Sequence, residues 1–179
     1  MTDQASRRAT VFGVDEQDAQ DIDVGRWVTL AESVLDAQGV PRSAELSVLF
    51  VDEATMADLN SRHMGASGPT DVLAFPLEDE GLEQGRWPDN GTTGPDRPMP
   101  GADDMPVLLG DVVVCPAVAA RQAPEHAGTP HHDGSLDDEI ALLIVHGVLH
   151  VLGMDHAEPA ETEAMQARER ELLERFHRS

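Results

Sequence analysis

Strand-like and helix-like segments are interspersed along this 179-residue chain, which predicts an α/β or α+β domain around a small sheet. Three observations carry that prediction. Short apolar runs rich in β-branched residues, such as "ELSVLFV" and "VLLGDVVV", read as strands. An amphipathic stretch at helical spacing lies near the N-terminus, and a long apolar helical run covers residues 140–152. The hydrophobic fraction of 40% suits a globular chain, and the length suits one domain over residues 1–179.

In chain order, "ATVFGVD" reads as the first strand. "VGRWVTLAESVLDAQG" then sets Val24, Trp27, Val28, Ala31, Val34 and Leu35 on one helical face, and Gly39 ends it. "ELSVLFV" is a second strand, and Asp52 is placed to N-cap a short helix running through Met56 and Leu59. "TDVLAF" is a strand closed by Pro76. Residues 78–105 have no periodicity and many turn residues, so they read as an acidic loop inserted between two strands. "VLLGDVVV" follows, with Gly110 marking a bulge or a close approach, and Pro116 suits a helix's first turn. Ser135 with Asp138 resembles a capping box, and the acids Asp137, Asp138 and Glu139 suit the N-terminus of the helix that follows. That helix is apolar on nearly every side, hence buried, and Gly153 fits its left-handed C-terminal position. A last helix at about 159–177 carries Met165, Leu172, Leu173 and Phe176, with Glu171 and Arg175 at ion-pair spacing.

The formal charge is −22, and all twelve basic residues are arginine. Such a deficit repels nucleic acid at long range and argues against a large nucleic-acid footprint, though not against a local positive cleft. The segment 78–105 holds eight acids and two arginines, a net of −6. No apolar run is long enough to span a membrane, and "MTDQASRRAT" lacks a signal peptide's apolar core. Cys115 is the single cysteine, so no internal disulfide forms, and the expected location is the cytoplasm.

The stretch "HGVLHVLGMDH", residues 146–156, carries the chemistry. His146 and His150 stand four apart, so both point the same way from one helix. Gly153 lets the chain turn and bring His156 back towards them. Three imidazoles with an open fourth position are a catalytic zinc ligand set, although other divalent ions also accept imidazole. Core histidines satisfied by hydrogen bonds are the alternative, but two polar rings midway along an apolar helix are costly unless something binds them. Asp155 could orient a ligand or simply turn the chain. His131 and His132 fall in the polar stretch "HAGTPHHDG" and read as solvated. His63, His126 and His177 lack ligand spacing.

The spacing is that of a metzincin protease helix, H-E-x-x-H-x-x-G-x-x-H, with Gly147 where the general base belongs. Zinc lowers the pKa of a bound water to about 7, so hydroxide forms without a dedicated carboxylate. Amide hydrolysis also needs a proton for the leaving nitrogen, whereas a phosphodiester asks for charge stabilisation and positioning. Glycine here therefore argues against peptide hydrolysis; close helix packing would equally favour it.

"HGVLHVLGMDH" resembles the signature of the YbeY endoribonucleases, H-G-x-L-H-L-x-G-x-D-H. "GPTDVLAFP" (68–76) resembles that family's P-T-D/N-V-L-S-F-P, and "LLGDVVVC" (108–115) its L-G-D-I-x-I-S/C. The resemblance covers roughly residues 43–176, apart from the acidic insertion. It implies an α+β fold with a small mixed β-sheet packed by several helices, one of them the buried metal-binding helix. It further implies a metal-dependent, single-strand-selective endoribonuclease of the bacterial cytoplasm, acting in 3′-end maturation of 16S rRNA and in ribosome quality control. His146, His150 and His156 would hold one Zn²⁺, or another divalent ion, with water completing the site. The expected partners are single-stranded rRNA and the small ribosomal subunit or its proteins, with no membrane and no DNA. The chain departs from the pattern twice. The family's arginine five residues before the motif's proline is Met64 here, and Arg62 is the nearest catalytic candidate. On a helix, a two-residue shift turns Arg62 about 200° away. Ala74 also replaces the usual serine. Thr70 and Asp71 remain, and Cys115 reads as a small buried residue. A non-catalytic zinc-binding ribosome-assembly factor is the alternative function, and a metalloprotease a third.

Overall fold

The computed structural model describes residues 9–77, 106–154 and 157–178. The expected acidic insertion at 78–105, together with Asp155 and His156, therefore lies outside the described residues. The elements are β1 (Thr10–Asp15), α1 (Val24–Ala37), β2 (Ala44–Phe50), α2 (Glu53–Met64), β3 (Val72–Pro76), β4 (Val107–Val114), α3 (Pro116–Gln122), a 3₁₀ turn (Ala123–His126), α4 (Leu136–Val151) and α5 (Pro159–Phe176). The strands form one sheet in the order β1-β2-β4-β3. β1 and β4 flank β2 in parallel and β3 joins antiparallel, so the expected small mixed sheet of an α+β fold is present.

Alternation along the strands assigns the faces. Ala44, Leu46, Val48 and Phe50 of β2, with Val112 and Val114 of β4, enter the main core beside residues of α1, α4 and α5. The opposite face has a smaller core in which Leu73 and Val113 meet Met56 of α2, Cys115 and Val118. Phe12, Val14 and Leu108 are exposed. Gly110 is both of the things its position in the strand suggested. The pairing of β2 with β4 shifts beside it, and at φ +140 a Cβ there would stand 2.2 Å from the Phe75 carbonyl oxygen.

The caps follow the sequence with one informative exception. Asp52 accepts from the Thr55 N–H at 2.8 Å, and Ser135 Oγ from the Asp138 N–H at 3.2 Å. The return bond of a full box is not made: Asp138 instead accepts from the Asp133 N–H at 2.8 Å and from His177 Nε2 at 2.7 Å, and it pairs with Arg178. The start of α4 is thereby fastened to the residues just beyond α5. At the other end of α4, Gly153 N–H bonds the His150 carbonyl at 2.9 Å and Met154 N–H the Leu149 carbonyl at 3.0 Å. With Gly153 at φ +93, this is the paired-bond helix stop that glycine permits.

Candidate metal centre

Along α4 the buried positions run almost without a break, and past the first turn only Leu142, His146 and His150 are partly open. They are spaced i, i+4, i+8 and make one stripe. The two imidazoles meet edge to face, their centroids 4.5 Å apart with planes at 72°. With Zn–N bonds of about 2.0–2.1 Å, rings sharing one ion stand a few ångströms apart, and this pair does. His156, the third expected ligand, and Asp155 lie outside the described residues, so the structure brings together two of the three.

Gly147, beside His146, is buried and faces the sheet; a Cβ built on it would lie 2.6 Å from Val112 Cγ1. A glutamate of the peptidase pattern has no room there.

One residue of this site was missed from sequence. Glu169 of α5 is 8% exposed and its Oε1 lies within hydrogen-bond distance of His146 Nδ1. A carboxylate that accepts from this ring requires the proton on Nδ1, and a neutral ring so held has its lone pair on Nε2, the form in which a histidine ligates through Nε2. The signal was present. Met165, Glu169, Leu172 and Leu173 form a buried stripe, and an acid inside it calls for a partner. The chemistry of the set therefore fits a divalent cation.

A second group of ligand-type atoms lies at the start of α4. His126, His132 and Glu139 offer atoms all within 4.8 Å of one another. His132 is buried, not solvated as its polar loop suggested, because "HHDG" folds back over the helix start. His126 Nδ1 and His132 Nε2 both point at Glu139 Oε2, at 2.7 and 2.8 Å. His132 Nδ1 accepts the Gly134 N–H at 3.0 Å, which puts the ring's proton on Nε2, the atom that faces Glu139. As arranged, this is a hydrogen-bonded cluster; a cation here would have to displace that proton. Glu139 Oε1 is buried with no hydrogen-bond partner.

Arg62 lies in the last turn of α2, largely exposed, with its Nε 3.1 Å from Asp58. Met64 is helical too, so the rotation of about 200° between their directions applies. Asp71 accepts from the Val72 N–H at 2.8 Å and from Thr70 at 3.2 Å, which opens β3. Burial pushes the Cys115 thiol up from its ordinary value, in keeping with a buried residue and not a nucleophile. His63 packs edge-on against Phe75 at 4.9 Å, and His177 is held by Asp138. No helix among the described residues is long and apolar enough to cross a membrane.

The sequence matches the family described as "Endoribonuclease YbeY" over residues 14–177, which takes in the end of β1 and all of α1, upstream of the motifs. It is similar to Endoribonuclease YbeY of Salinispora tropica, 45% identical over 160 residues, covering 89% of this chain and 92% of the relative. The protein of that name from Thermobifida fusca is 48% identical over 157 residues, covering 88% of each. The solution structure of TM1509 from Thermotoga maritima is similar in fold, with a TM-score of 0.52 at 20% identity, over 93% of this chain and 91% of that one.

Proposed function

Because the chain belongs to the YbeY endoribonuclease family, we propose that it is a zinc-dependent hydrolase that cuts single-stranded RNA in the bacterial cytoplasm. Its substrate is the 3′ region of 16S rRNA during maturation and quality control, met on the small ribosomal subunit. The observation that carries the reading is the pair of imidazoles 4.5 Å apart on the one partly open stripe of a buried helix.

His146, His150 and His156 would hold the divalent ion, which when bound would supply Lewis acidity and acidify a water. The chain's own groups hold and shape the site. Glu169 lies within hydrogen-bond distance of His146 Nδ1, and α4 presents both rings from a rigid core position. Gly147 is packed against Val112 of the sheet and offers no general base, which disfavours the protease reading. Arg62 is the arginine nearest the family's phosphate-facing place, and the exposed guanidinium would have to leave Asp58 to serve there.

The net charge of −22 favours a second reading, a zinc-binding assembly factor without catalysis, because RNA engagement would then depend on protein partners. One experiment separates them. Zinc-loaded protein, chelated protein and the variants His150→Ala, His126→Ala and Arg62→Ala are incubated with labelled single-stranded RNA and with casein. Zinc-dependent RNA cleavage that His150→Ala abolishes and His126→Ala retains is the expected result. Zinc binding without cleavage of either substrate favours the assembly factor, and casein cleavage the protease. Loss of zinc in His126→Ala but not in His150→Ala would move the metal to the Glu139 cluster. A drop of more than tenfold in Arg62→Ala, with zinc retained, assigns that arginine to the substrate.

A further inference from the structure

We propose that Glu169 is a positioning residue of the metal centre: it fixes the protonation and orientation of the His146 ring so that Nε2 is presented to the ion. The inference rests on the metal reading above and extends it to a residue outside the histidine motif, on a different helix.

The burial of Glu169 makes the argument. Its neighbours on the α5 stripe are Met165, Leu172 and Leu173, all buried, a setting that penalises a carboxylate without a partner. The adjacent Arg168 does not serve, since it bonds Gln38 at 2.6 Å and the Ala37 carbonyl at 3.2 Å and pairs with Glu171 at 2.8 Å. His146 Nδ1 is the partner that Glu169 does have. A carboxylate on the far nitrogen of a ligating imidazole sets its tautomer and raises its basicity.

The carboxylate is also well anchored. One residue away, Arg168 ties α5 to the end of α1, and beyond its last turn His177 and Arg178 tie it to Asp138 of α4. Rigid support of this kind is what a ligand-orienting group needs.

The test uses Glu169→Met, which matches the apolar stripe in length and polarity, and Glu169→Gln, whose amide oxygen can accept the same hydrogen bond. Two quantities are measured: the His146 tautomer in metal-free protein, by nitrogen NMR, and zinc affinity, by competition with a chelator. The parent should carry its proton on Nδ1. Glu169→Met should shift it towards Nε2 and weaken zinc binding by roughly 10–100-fold, and Glu169→Gln should recover the tautomer and part of the affinity. A Glu169→Met protein with the parent's tautomer, or with zinc affinity within about twofold of the parent, overturns the proposal and leaves a mere helix contact. A parent with its proton on Nδ1 that takes up no zinc overturns the metal reading instead.

Discussion

At Gly147 the absence of a side chain has a structural cause. Its Cα faces Val112, and an added Cβ would stand 2.6 Å from a γ-methyl of a stiff, β-branched side chain. Alanine should raise helix propensity by about 1 kcal/mol, yet the overlap costs about 1–3 kcal/mol and should win. We expect Gly147→Ala to lower the urea midpoint, and Gly147→Ala with Val112→Ala to lose less than the two single changes summed. A single variant more stable than the parent would show that the strand gives way instead. The sequence offered both packing and chemistry for this glycine, and the contact makes packing sufficient. Histidine was harder to read. His146 and His150 carry their spacing openly, whereas His132 depends on a loop folding back over α4 and Glu169 on a partner helix. The acid within the apolar stripe of α5 signals that Glu169 has a partner, but no local pattern says which residue it is, and none marks the fold of the His132 loop.

The helices and strands were legible because most follow periodicity and caps: Asp52, Ser135 and Gly153 all act where expected. The start of α4 was only half legible. Its acids were expected to serve the helix dipole and, for Asp138, a capping box, but Asp138 and Glu139 are buried and each holds groups from elsewhere in the chain. Burial opposes ionisation of Asp138, but bonds from the Asp133 N–H and His177, with the charge of Arg178, outweigh it and hold the carboxyl at about 2. That value lies below the unfolded one of about 3.9, so the stabilisation is fully present above pH 4 and is lost as pH falls through 2. Urea unfolding followed from pH 5 to pH 2 should show the parent losing on the order of 2 kcal/mol more than Asp138→Asn. Parallel curves would mean that the fastening between α4 and α5 is not electrostatic.

For the whole molecule, the mixed sheet follows from where the strands fall in sequence, but strand order β1-β2-β4-β3 is set by long-range pairing that no single segment announces. Net charge acts at this scale too. A chain at −22 repels RNA out to about 10 Å in 0.1 M salt and farther in dilute buffer. Cleavage of short single-stranded RNA should therefore speed up, in kcat/KM, as monovalent salt rises from 10 to about 150 mM. A steady fall over that range would place a strongly positive RNA track on the surface. The anchoring of His146 by α5 bears, lastly, on the order of synthesis. A ribosome making this chain completes all four strands well before Glu169 exists, so a nascent protein can begin to assemble its sheet while the imidazole still lacks its brace. The proposed metal centre would then gain its brace only after the sheet has begun to form.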